Sequence, residues 1–213
     1  MKIPIVYHSL YGHTLQLARA IEEGVKSASG VEAVFRRAPE FPHTEKELEA
    51  GDGYATKVWG EQKQIPACTL DDLREADGLL MGSPTRYGNM TAQMKQFIDT
   101  TGSLWMTGEL EDKVTGVFTS TATIHGGQES TILTSLVPLL HLGMIFIGTP
   151  YGQNPQIMVT DGIGGSPYGP GTLAGPDGSR QPVESELQTA RNLGSRAARV
   201  SALTRVLRQP QSN

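Results

Sequence analysis

Cysteine is almost absent from these 213 residues, Cys68 standing alone. One thiol cannot close an intramolecular disulfide, which fits a reducing compartment. Long apolar runs are missing too. The first, Ile3 to Tyr7, is broken by Pro4 and falls far short of a signal-peptide core or the roughly 20 residues of a membrane span. The expected address is therefore the cytoplasm, without membrane insertion. Neither sign of charge dominates: 18 Lys and Arg stand against 22 Asp and Glu, a net charge of -4 with a pI near 5.7. That balance gives no electrostatic reason to expect nucleic acid or an anionic membrane. Also lacking are the G-x-x-x-x-G-K-[ST] phosphate loop, a G-x-G-x-x-G fingerprint after the first strand, and the G-x-S-x-G elbow of hydrolases. No two of the five histidines sit at metal-ligand spacing with a cysteine or carboxylate, so no metal is expected.

What is present alternates between short apolar runs and helical periods. Residues 3–7 predict a buried strand, and Leu17, Ile21, Val25 and Ala28 recur at helical spacing before Gly30. Val31 to Arg37 predicts a second strand, parallel to the first because a helix intervenes. Further strands are expected at 78–82, 114–120 and 144–147, and further helices at 71–76, 94–101, 132–142 and from Val183 onward. Residues 39–68 read mostly as a polar surface excursion with room for a helical turn at Lys46 to Ala50, and the Gly- and Pro-rich 148–182 as an ordered loop or hairpin outside the core. Five strands alternating with helices describe an α/β, doubly wound, five-stranded parallel sheet with helices on both faces. Pro4 is tolerable there only near the start of its strand. No linker divides the chain, so 1–208 is expected to be a single domain and 209–213 a disordered tail.

In such sheets ligands sit beyond the carboxyl ends of the strands. Three polar loops leave those ends: Ser9 to Thr14, Pro84 to Asn89, and Ser120 to Gly127. The first runs straight into a helix, where backbone amides, the helix dipole and the Ser9 and Thr14 hydroxyls would hold a phosphate. Without a lysine, it suits a cofactor phosphomonoester better than a nucleoside triphosphate. Ser9 and Thr14 could equally be helix caps.

SLYGHT at 9–14, GSPTRYGNM at 82–90, TGSLW at 101–105, GGQE at 126–129, HLGM at 141–144 and SPYGPGTLAGPDGSRQP at 166–182 together resemble the WrbA family of NAD(P)H:quinone oxidoreductases. The resemblance covers nearly the whole chain, in the family's order. It implies a flavodoxin-like fold and FMN as cofactor, with NADH or NADPH as donor. Ser9, Leu10, Tyr11, Gly12, His13 and Thr14 match the FMN phosphate loop, Tyr11 also standing where the nicotinamide nucleotide binds. Pro84, Thr85, Arg86, Tyr87, Gly88 and Asn89 match a second flavin loop; Tyr87 adds a hydroxyl where Phe is common. Ser120, Thr121, Ala122, Thr123, His125 and Gly126 fall in the third. His141 matches a histidine near the flavin, the catalytic candidate, and Trp105 an aromatic of the substrate pocket. The resemblance further implies a homotetramer, a dimer of dimers, whose sites lie at subunit contacts.

The implied reaction is two-electron reduction of small quinones, hydride passing through FMN by a ping-pong mechanism, with Trp105 and Tyr11 sandwiching planar substrates. The competing readings are an electron carrier of the flavodoxin kind and an FMN-dependent interaction protein without turnover. The third loop departs from the family's S-T-G-T-G-G-G-Q-E: it is one residue longer, and Ala122 and Ile124 replace glycines. Neither residue takes positive φ easily, so the path and flavin contacts of this loop are where the chain is expected to differ from its relatives. Trp59 reads as packing or interface, and the C-terminal arginines as a solvated helix face.

Overall fold

A computed structural model describes residues 1–208; the expected tail at 209–213 lies outside the described residues. Strand β1 (Lys2–Tyr7), helix α1 (His13–Lys26) and strand β2 (Glu32–Arg37) form the first crossover unit. Helices α2 (Pro42–Ala50), α3 (Tyr54–Gln62) and α4 (Leu70–Arg74) then lead to β3 (Gly78–Pro84). After it come α5 (Ala92–Asp99), α6 (Gly102–Met106), β4 (Val114–Thr121), α7 (Gln128–His141), β5 (Ile145–Phe146), β6 (Gly171–Leu173) and α8 (Glu184–Thr204). The strands are parallel and ordered β2-β1-β3-β4-β5, with β6 also paired to β4.

Strand alternation divides the apolar residues between two layers. Ile3, Ile5 and Tyr7 pack with Leu17, Ile21 and Val25 of α1 and Ala190, Leu193 and Ala197 of α8. Val6, Leu79, Met81 and Val117 face the other way, against α4, α5, α6 and α7. Helices α1 and α8 approach backbone to backbone: a Cβ on Gly194 would lie 2.2 Å from the Ile21 carbonyl oxygen. Only glycine permits that approach.

Two expectations need correction. Residues 39–68 carry two helices, and Val58, Trp59 and Gln62 of α3 are buried. The tract 148–182 is not outside the core. Strand β5 pairs with the start of β4, at Val114 and Thr115, while β6 pairs with its end, at Thr119 to Thr121. The fifth position of the sheet is thus filled in two instalments, and the residues between them form the loop. Burial of Thr172 and Leu173 against β4 wins over the local Gly and Pro signal.

Pro4 sits third in β1, opposite Val34. The even-numbered amides on either side of it point toward β3, as in the bond from His8 N–H to the Gly82 carbonyl. The β1–β3 ladder, however, begins only at Ile5 opposite Leu80. The missing donor therefore falls before that ladder starts.

Candidate functional site

The loops after β1, β3 and β4 meet in a crevice of about 730 Å3 beyond the carboxyl ends of the strands. Ser9, Leu10, Tyr11, His13, Thr14, Pro84, Thr85, Arg86, Ser120, Thr121 and Ala122 line it. Tyr54 of α3 and the strap Ala174 to Ser179, with Gln181, complete the lining; the strap lies within the 166–182 motif, whereas no sequence signal pointed to Tyr54. Among these side chains only Arg86 and Asp177 carry full charges.

The first loop leaves hydrogen-bond donors unpaired at the start of α1. Gly12, at φ +83°, caps α1 from outside, and its N–H donates to the Ser9 hydroxyl at 3.0 Å. The first bond inside the helix runs from Gln16 N–H to the Gly12 carbonyl. The amides of the opening turn thus have no intrahelical acceptor. Thr14 is buried and its hydroxyl has no partner in the protein. A buried hydroxyl without a partner is costly. A phosphate at the helix start would satisfy it together with the free amides, so the donor set fits a cofactor phosphomonoester.

His13 takes a different part. Its imidazole Nε2 lies 3.0 Å from the Arg180 carbonyl oxygen and donates to it, tying the strap to α1; burial, foremost, pushes its pKa down. Its side chain is committed to the protein, which leaves its backbone amide for a ligand. The strap is fixed again from α8. The Glu186 carboxylate, fully buried, accepts from Gly164 N–H, the Thr172 hydroxyl, Val183 N–H and the Arg180 guanidinium.

The second loop is a tight turn. Arg86 and Asn89 exchange both backbone hydrogen bonds, with Tyr87 at φ 53° and Gly88 at φ +78° between them. Two left-handed central residues define a type I′ turn. It throws the Tyr87 ring fully into solvent. Thr85 N–H donates to the Ser120 carbonyl, and the Thr131 hydroxyl donates to that of Thr85, so the second and third loops are tied together.

The third loop makes its left-handed step on a glycine. Neither Ala122 nor Ile124 has positive φ; the chain turns at Thr123 to Gly126, and the left-handed step falls on Gly127 (φ +109°). Helix α7 starts right there, at Gln128, earlier than the periodicity predicted. Buried Gln128 donates to the Thr121 hydroxyl and the Thr172 carbonyl, holding the loop's root. Thr123, His125 and Gly126 are exposed and do not line the crevice.

His141 and Trp105 lie elsewhere. With Asn89 they line a second groove of about 540 Å3, between α5, α6 and α7. Both are exposed at its surface. The expected sandwich of Tyr11 with Trp105 is thus not formed inside one chain: Tyr11 lines the first crevice, and Trp105, on α6, lines the second groove. Around the second groove an apolar stripe, Leu133, Val137 and Leu140 of α7, stands open with Met106. Among the described residues no group of three His, Cys, Asp or Glu side chains could hold a metal ion, and no helix is long and apolar enough to cross a membrane.

A parallel sheet in this order, with an anion cradle at the first helix and two further loops beside it, defines the flavodoxin-like class of mononucleotide-binding folds. Residues 1–156 match the NADPH-dependent FMN reductase family. The chain is 48% identical over 201 residues to an NAD(P)H dehydrogenase (quinone) of Syntrophobacter fumaroxidans, covering 94% of this chain and 97% of that protein. It is 49% identical to one of the same name from Solidesulfovibrio magneticus, covering 94% and 98%. The fold is similar to the crystal structure of the flavodoxin, WrbA-like protein from Agrobacterium tumefaciens, with a TM-score of 0.65, 23% identity, and 95% and 98% of the two chains covered. This chain belongs to the NADPH-dependent FMN reductase family.

Proposed function

We propose that the protein is an FMN-dependent NAD(P)H:quinone oxidoreductase, a cytoplasmic enzyme whose residues 1–208 act as one flavodoxin-like unit. The observation that carries this reading is the buried, unpartnered Thr14 hydroxyl at the open start of α1, beside a crevice of about 730 Å3. It is supported by relatives at 48 and 49% identity that bear the name NAD(P)H dehydrogenase (quinone).

Bound FMN would accept a hydride and pass two electrons to a quinone, so the chain itself needs neither nucleophile nor metal. The chain's work is to hold and orient. Residues 9–14 take the phosphate through the Ser9 and Thr14 hydroxyls and the backbone amides. Residues 84–86 and 120–122, which line the crevice beside the first loop, would flank the ring. Tyr11, half exposed in the crevice, is placed to stack on the nicotinamide or the quinone. The groove of His141 and Trp105 would reach this site from another copy of the chain in a homotetramer. The exposed residues of the 85–89 turn and the α7 stripe supply the contacts. One site occupied successively by donor and acceptor gives ping-pong kinetics.

Steady-state reduction of benzoquinone by NADH or NADPH, with FMN-loaded protein, is the test. Parallel double-reciprocal lines are expected. Absence of turnover would reject the enzyme, and intersecting lines would reject the shared site. Accumulation of one-electron-reduced cofactor on titration would favour an electron carrier.

A further inference from the structure

Helix α3 lies in a segment that no motif marks, yet it packs directly on the phosphate loop. Tyr54, Val58 and Gln62 recur at intervals of four and so share one face of α3. Tyr54 lines the crevice. The Val58 methyls stand 3.6 and 3.7 Å from where a Cβ on Gly12 would lie, ordinary contact against the turn. Gln62 is buried, and its Nε2 donates to the Ser9 carbonyl at 2.9 Å.

The last bond has a directional consequence. In a trans peptide the N–H of one residue points opposite to the carbonyl before it, and no cis bond occurs among the described residues. Because Gln62 draws the Ser9 carbonyl toward α3, the Leu10 N–H is turned away from α3. Ser9 is held from its other end as well, its hydroxyl accepting the Gly12 N–H. The loop is therefore set before any ligand arrives, which removes an ordering cost from binding.

We propose that α3 belongs to the cofactor-binding machinery, with Gln62 a positioning residue that presents the loop's amides to the phosphate and the Tyr54–Val58–Gln62 face as the outer wall of that subsite. This rests on the phosphate being held at residues 9–14, and the test separates the two claims. Apo protein is titrated with FMN and with riboflavin, which shares the ring but lacks the phosphate, by quenching of flavin fluorescence. In Gln62→Leu, FMN affinity is expected to fall about tenfold, the scale of one buried carbonyl losing its donor, while riboflavin affinity stays level. Val58→Ala, a milder change should the first variant fold poorly, is expected to lose about threefold with the same selectivity. Equal losses for both flavins, or no loss for either, overturn the role of α3. Wild-type protein that binds riboflavin as tightly as FMN overturns the phosphate loop itself.

Discussion

The Nε2 of His8 and a carboxylate oxygen of Glu40 lie 3.0 Å apart, with both side chains almost wholly withdrawn from water. The pair joins the end of β1, immediately before the 9–14 loop, to the segment after β2. The second Glu40 oxygen accepts from Phe41 N–H and from Gln93. Burial alone would push this carboxyl up, but the bonds from His8, Phe41 and Gln93 outweigh it and hold the pKa below the ordinary value of 4.5. A depressed carboxylate stabilises the fold above its unfolded pKa and loses that contribution as pH falls through the folded one. Glu40→Gln is expected to cost about 2 kcal/mol at pH 7. In urea unfolding, that difference should shrink once the pH is taken below the normal glutamate range.

Thr14→Val keeps the shape of the side chain and removes only a hydroxyl that no protein group uses. The apo protein should unfold at the same or slightly higher urea concentration than wild type. FMN should bind about tenfold to a hundredfold more weakly, as expected for a lost bond to a charged group. Thermal melts with and without FMN separate the two effects.

Glu186→Ala would strand the Arg180 guanidinium and several backbone donors of the 164–183 tract. A loss of about 3 kcal/mol is expected, with new cleavage by a nonspecific protease between residues 164 and 183. Protection equal to that of the wild-type chain would show the strap to be held by other contacts.

Lys113 is buried at the opposite end of the sheet, donating to the Leu73 and Arg74 carbonyls that close α4. Burial pulls its pKa from 10.5 to about 8. Between those values the unfolded chain binds a proton that the folded one does not, so stability contributed by this group rises with pH there. Wild type should gain on Lys113→Met across that window in denaturation curves measured at several pH values.

The α7 stripe predicts its own outcome. Val137→Glu puts a charge between Leu133 and Leu140, which share its face of α7 and are exposed in the single chain. If copies associate there, light scattering should show the assembly fall to smaller species, and quinone turnover should fall with it. An unchanged mass would exclude this stripe from the interface.

Much of this architecture was legible because hydrophobic period and loop position are local properties. Ile3, Ile5 and Tyr7 alternate, Leu17, Ile21 and Val25 recur, and the polar loops stand where a parallel sheet needs them. What escaped was long-range. Nothing around Gln62 says that its amide meets Ser9, 53 positions away. The segment Gly171–Leu173 has no strand signal of its own; it becomes a strand because the edge of β4 beyond β5 needs a partner. The resemblance carried His141 and Trp105 to the site as a set, yet one chain holds them apart from Tyr11. Motif order along a sequence does not say which copy of a chain supplies each member.

The turn at 123–126 also bears on how such chains diverge. Its bulk hangs in solvent, while its root is fastened by Gln128 and its reversal rests on Gly127 alone. Residues can be gained or exchanged at the tip at little cost to the crevice wall. Drift should accumulate at Thr123 to Gly126, and selection should fall on the two positions that follow.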